Sequence, residues 1–146
     1  MSASGLRPTM ILHTHGHLDH AGGTAELAAL LEPGLPVGLH PEEIELYNNL
    51  PMQAKMFGLE CDPPPEPDLW LDHGTRLSVG GLVLEVHHTP GHSPGGVCFV
   101  VSGADEELVV VGDVLFAGSI GRTDLWGGSF PVLERSIREQ LYTLPD

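Results

Sequence analysis

Thr14-His15-Gly16-His17-Leu18-Asp19-His20 packs three imidazoles and a carboxylate into six consecutive residues, just after the apolar run Met10-Ile11-Leu12. In extended backbone, residues i and i+2 face the same way, so His15 and His17 can grip one cation together. Asp19 and His20 fall where the strand gives way to a turn and helix. They point elsewhere, which suits a second cation close to the first. Borderline ligands this dense are costly to bury without a metal, because each needs a partner. The spacing predicts a metal site, not a histidine-rich polar loop.

Two later segments add candidates. Leu82-Val83-Leu84-Glu85-Val86 leads into His87-His88-Thr89-Pro90-Gly91-His92-Ser93-Pro94-Gly95, where Pro90 and Gly91 force a tight turn before His92. Leu108-Val109-Val110-Val111-Gly112-Asp113 is a buried-strand pattern ending in a carboxylate. An Asp after four apolar residues is expensive unless it meets a charge, and a bridging place between two cations satisfies both oxygens. Alone, His92 reads as a turn residue and Asp113 as a helix cap. Beside the first cluster, both become candidate ligands. Hydroxide made by a metal is the expected nucleophile, and no Ser or Cys nucleophile is required.

In this order, T-H-x-H-x-D-H, T-P-G-H-S-P-G and G-D-V-L-F-A-G-S-I-G-R-T-D-L resemble the metallo-β-lactamase fold superfamily, from about Met10 to Leu144. Within it, Pro51-Met52-Gln53-Ala54-Lys55-Met56-Phe57-Gly58 and Gly118-Ser119-Ile120-Gly121-Arg122-Thr123-Asp124 are similar to the single-domain bacterial type II glyoxalases, or hydroxyacylglutathione hydrolases. The resemblance implies an α/β fold, the αββα sandwich, as one domain over residues 1–146. It places His15, His17 and His92 on a first metal and Asp19 and His20 on a second, with Asp113 bridging. Zinc is the expected metal, with iron or manganese as alternatives.

It further implies hydrolysis of a thioester such as S-(2-hydroxyacyl)glutathione by a metal-bound hydroxide that Asp19 orients. Arg122 and Lys55 are the implied substrate contacts, although Arg122 also suits an ion pair with Asp124. His13, His40, His73, His87 and His88 match no ligand position. Of these, His13 and His88 are expected to pack in strands or orient a ligand. Members of the superfamily carry additional N-terminal strands and a last histidine in a P-G-H-G motif. Against that pattern this chain reads as incomplete at both ends, with a second metal site lacking one ligand. Two other functions compete: a mononuclear iron persulfide dioxygenase using His15, His92 and Asp113, and a weakly active metal-binding domain that depends on a partner chain.

Composition narrows the partners. Six basic residues against twenty acidic ones give a net charge of −14, which disfavours nucleic acid and the nuclease branches of the superfamily. No apolar stretch approaches a membrane span, and no charged-then-apolar leader opens the chain. Two cysteines without a pattern suggest no disulfide scaffold, so a cytoplasmic enzyme with a small-molecule partner is expected.

The elements that must position these residues are legible from periodicity and punctuation. Strands are expected over 10–14, 37–39, 75–79, 82–87, 96–101 and 108–111, the last four forming two hairpins. A helix over 24–31 is expected to be capped by Thr24 and ended by Pro33-Gly34. Pro41 opens a helix over 42–48 whose Glu42, Glu43 and Glu45 form a solvated face, and Pro51 interrupts the next segment. Residues 61–68 read as a stiff extended connector, residues 131–141 as a final helix, and Met52, Met56 and Phe57 as core.

Overall fold

The structure, a computed structural model, describes residues 5, 7–31, 34–103 and 108–145. The stop expected at Pro33 and most of the polar turn before Leu108 lie outside them.

The first apolar run pairs as β1 (Ile11–Leu12), parallel to β2 (Val37–Leu39), which is parallel to β3 (Leu69–Trp70). Parallel pairing demands crossovers, and helices supply them. Between β1 and β2 run α1 (Leu18–Ala21) and α2 (Thr24–Leu30). A 3₁₀ turn (Pro41–Glu43), α3 (Ile44–Asn48) and α4 (Leu50–Met56) link β2 to β3. The expected hairpins join into one antiparallel sheet of β4 (Arg76–Val79), β5 (Leu82–His88), β6 (Val97–Ser102) and β7 (Leu108–Val110), in chain order. A small hairpin, β8 (Leu115–Phe116) with β9 (Ser119–Ile120), precedes α5 (Phe130–Ser136), which widens into a π-turn over Ile137–Leu141.

Three apolar clusters define the layers. Ile11, Val37 and Leu39 pack with Ala21, Tyr47 and Leu50, placing helices on the parallel sheet. Leu71, Val86, Val97 and Phe99, with Leu12 and Leu69 on one side and Leu77 and Leu84 on the other, fill the space between sheets. Cys98 and Val114 meet Leu133, Ile137 and Leu141, placing α5 on the far face. The order is helix, sheet, sheet, helix, as expected of an α/β sandwich. A backbone bond from Val97 N–H to Thr14 O, 2.8 Å, stitches the two sheets together beside His15.

Several local expectations are corrected. The cap of α2 is Gly23; Thr24 Oγ1 instead donates to Ala21 O at 2.7 Å and so accepts from His13 Nε2 at 3.1 Å. Pro51 does not interrupt a helix but sits in the first turn of α4, where its missing N–H costs nothing. The extended connector ends in a strand, β3, because pairing starts once the prolines, which cannot donate, give way at Asp68. Met52, Met56 and Phe57 are exposed, not core, and Glu43 is fully buried, not solvated. Gly91, at φ +125°, lies so close to the Leu133 backbone that a side chain there has no room, which pins the turn before His92 against α5.

Leu39 is completely buried where β2 meets the helices. Leu39→Ala should therefore cost about 2–5 kcal/mol in urea unfolding, and a loss below about 1 kcal/mol would contradict this core.

Candidate metal centre

Beyond β1 the chain keeps one further bond to β2, from His13 N–H to Gly38 O, and then runs through His15 to His17 at the N-terminus of α1, while the turn after β5 brings His92 to the same place. The rings of His15, His17 and His92 meet edge-on, with centroids 5.0, 4.8 and 4.7 Å apart. Their exposures are 2, 8 and 4 %. His92 Nδ1 donates to the Arg122 carbonyl at 2.8 Å, which leaves Nε2 as a bare lone pair. That lone pair faces His17 Nδ1 at 2.9 Å. His15 Nδ1 lies 3.2 Å from Thr14 Oγ1, while His15 Nε2 is buried with no hydrogen-bond partner among the described residues.

An orphaned buried nitrogen beside two converging ones is the donor set of a divalent cation, so the residues present fit a metal. A second group, His15, His20 and Asp113, adjoins the first. Asp113 Oδ1 lies 3.1 Å from His20 Nε2 and Oδ2 lies 3.8 Å from His92 Nε2, so its oxygens reach toward both groups. Asp19 sits at the edge, 77 % exposed and 3.7 Å from His20 Nε2.

Electrostatics keeps His13, His15 and His17 neutral. Burial, then the neighbouring His20, His92, His17 and His13, hold His15 down to about 2. Burial and His92 hold His17 down to about 4, against Asp19 and Asp113, which oppose the shift. His13 falls to about 4 through burial and His20. Neutral imidazoles present the lone pairs a cation needs.

Two residues that the sequence does not flag hold the backbone of the first cluster. Gln53 on α4 donates to Gly16 O at 3.1 Å and accepts from Leu18 N–H at 3.0 Å. Glu43 accepts from Gly16 N–H and Gly95 N–H at 2.6 and 2.7 Å. His88 fixes the other loop, donating from Nε2 to Pro94 O at 3.1 Å. His40, Glu42 and His88 also gather ligand atoms, but this cluster is not arranged for a cation. His88 Nε2 is spent on Pro94, His40 Nδ1 accepts from Glu42 N–H, and the two rings stack 11° from parallel, so their lone pairs do not converge.

A cleft of about 580 Å³ opens onto His17, His92 and Asp113. Its walls include Leu18, Asp19, Phe57, Leu59, Arg122 and Leu125. The Arg122 guanidinium forms a two-pronged pair with Asp124 at 2.8 and 2.9 Å on the surface. That pair holds the Asp124 carboxyl down to about 2. Lys55 is exposed on α4 and is not among the residues lining the cleft.

Comparison with known proteins agrees with this geometry. The profile of the Metallo-beta-lactamase superfamily matches residues 2–145. The chain is 42% identical over 144 residues to the probable metallo-hydrolase YqgX of Bacillus subtilis, covering 97% of this chain and 66% of that protein. It is 38% identical to the hydroxyacylglutathione hydrolase GloC of Haemophilus influenzae, over 94% of this chain and 64% of that one. It is 31% identical to the mouse mitochondrial persulfide dioxygenase ETHE1, over 97% of this chain and 46% of that one. Among solved structures, TTHA1623 in a di-iron-bound form superposes with a TM-score of 0.83 at 39% identity, over 98% of this chain and 68% of that one. The chain thus spans about two thirds of the length of the first two relatives.

His13, His15 and His17 titrate near 6.5 when unfolded and well below that when folded, so the unfolded state takes up protons first on acidification. Stability of the metal-free protein should be full above about pH 6.5 and fall steadily toward about pH 4. Urea midpoints measured across that window check this, and midpoints that do not move would contradict neutral burial of these rings.

Proposed function

Since the chain belongs to the metallo-β-lactamase superfamily, we propose that it is a metal-dependent hydrolase of small acyl thioesters, S-(2-hydroxyacyl)glutathione first among them. The observation that carries this reading is the convergence of His17 Nδ1, His92 Nε2 and the unpartnered His15 Nε2 beside Asp113. His15, His17 and His92 would hold one divalent cation. His20 and Asp113, with Asp19 at the edge, would hold a second, Asp113 facing both. Nitrogen-rich ligation suits zinc, and the di-iron form of a similar protein supports iron as an alternative. When bound, such cations bring the pKa of water to about 7 and polarise the carbonyl under attack.

The chain's own residues do the rest. Asp19, on the cleft wall, accepts a hydrogen bond from the attacking water and aligns its lone pair with the carbonyl carbon. Leu18, Phe57, Leu59 and Leu125 give the substrate an apolar wall that keeps bulk water away. Arg122 stands at the same cleft and can meet a substrate carboxylate. A thiolate leaves without strong protonation, so the absence of an assigned general acid is no obstacle. Similarity to GloC supports a glutathione-linked thioester. Among the described residues no helix is long and apolar enough to cross a membrane, and Cys61 and Cys98 are free thiols, which fits a reducing cytoplasm.

A second reading has its own support. Asp113 Oδ2 lies 3.8 Å from His92 Nε2, which makes a two-histidine, one-carboxylate set with His15 available for iron, as in a persulfide dioxygenase. Similarity to the mouse enzyme favours it.

His92→Ala should remove most bound zinc from the purified chain, since three protein ligands are the usual minimum for a catalytic metal. Elemental analysis showing unchanged metal content in that variant would end the ligand assignment. Asp19→Asn should lower kcat on S-lactoylglutathione by about 10²–10⁴-fold while KM changes little. Oxygen uptake with glutathione persulfide, in place of thioester cleavage, would transfer the chain to the dioxygenase reading.

A further inference from the structure

Glu43 carries a carboxylate with 0 % exposure, in the 3₁₀ turn that succeeds β2. Burying such a charge is expensive unless strong donors meet it. Its Oε2 accepts from Gly16 N–H at 2.6 Å and its Oε1 from Gly95 N–H at 2.7 Å. Hydrogen bonds to a charged acceptor are shorter and about twice as strong as neutral ones. Gly16 lies between His15 and His17, and Gly95 lies three residues after His92. One carboxylate therefore spans the two loops that carry the converging histidines, and those loops leave different sheets.

Both loops are also pressed against the segment that runs from His40 to Tyr47. A Cβ on Gly16 would stand 3.0 Å from Tyr47 N and 3.2 Å from Glu43 Oε2. A Cβ on Gly95 would stand 2.6 Å from His40 Nδ1 and 2.9 Å from Glu43 N. Gln53 grips the first loop from its other side, through Gly16 O and Leu18 N–H. The backbone at these two glycines can approach the carboxylate only because no side chain intervenes.

We propose that Glu43 is a positioning residue: a strut between the two histidine-bearing loops that sets the spacing of His15 and His17 against His92, and thereby the affinity for a divalent cation. The proposal rests on His15, His17 and His92 as metal ligands, and not on the thioester substrate. Glu43 touches neither cation nor substrate. In Glu43→Gln one oxygen becomes an amide NH₂ that must face a backbone N–H, donor against donor, so one loop is released while side-chain length is kept.

The test is zinc affinity of the purified chain by chelator competition, alongside amide hydrogen exchange in the metal-free protein. Glu43→Gln should bind zinc about 10–100-fold more weakly, the loss typical of removing an outer hydrogen-bond partner of a metal site. Gly16 or Gly95 N–H should exchange faster in that variant. Leu71→Ala, destabilised within the sheet-to-sheet core, should keep wild-type zinc affinity. Zinc affinity within twofold of wild type in Glu43→Gln, or an equal loss in Leu71→Ala, would overturn the proposal. If Glu43→Gln does not fold, the wild-type amides decide: protection of both Gly16 and Gly95 supports the strut, and free-peptide exchange of either one overturns it. Absence of thioester hydrolysis with these binding results intact would count against the proposed function alone.

Discussion

Three imidazole rings with centroids 4.7–5.0 Å apart, all nearly sealed from water, impose the constraint that the rest of this molecule serves. The interior does not hold His15 and His17 charged, because burial and repulsion from neighbouring imidazoles both penalise the proton. Of the ring nitrogens in this cluster, His15 Nε2 stands buried without a partner among the described residues, while His17 Nδ1 and His92 Nε2 face each other at 2.9 Å. An unmet buried acceptor costs on the order of 1–3 kcal/mol. A cation removes that cost by accepting the lone pairs together. With the proposed cation bound, the site would be stabilised by what it holds, and the protein contributes geometry.

That geometry comes from hydrogen bonds to backbone more than from the ligands' own surroundings. Thr14 O and Val97 N join the two sheets beside His15. The Arg122 carbonyl fixes the tautomer and direction of His92, while two nitrogens of its guanidinium pair with Asp124 on the surface. Glu43 and Gln53 hold the loop between His15 and Leu18. The excess of negative charge, −14 in all, surrounds a cluster that lacks positive charge of its own, which favours cation entry over anion entry.

Legibility in the sequence tracks the range of each interaction. His15 and His17 are readable because alternation in extended backbone is local, His20 because it closes the same dense run where the chain turns into a helix, and His92 and Asp113 because each succeeds an apolar run and a turn signal. The structure brings these five together, with Asp19 at the rim. Glu43 reads as part of a solvated acidic face because its partners are main-chain amides 27 and 52 residues away, which leave no trace in residue type. Gln53 is silent for the same reason, reaching Gly16 across 37 residues. Strands of two residues, such as β3, β8 and β9, are too short to show a period. Phe57 reads as core because apolarity alone does not distinguish a buried wall from the lip of a cleft.

The central claim is that His15, His17 and His92 converge to hold one cation. X-ray absorption at the zinc edge of the chain loaded with one equivalent tests it most directly. Zinc–nitrogen distances of about 2.0–2.1 Å are expected, with the multiple-scattering pattern of about three imidazoles, reduced by one in His15→Ala. A coordination shell of oxygens alone, or an imidazole count that His15→Ala leaves unchanged, would contradict it.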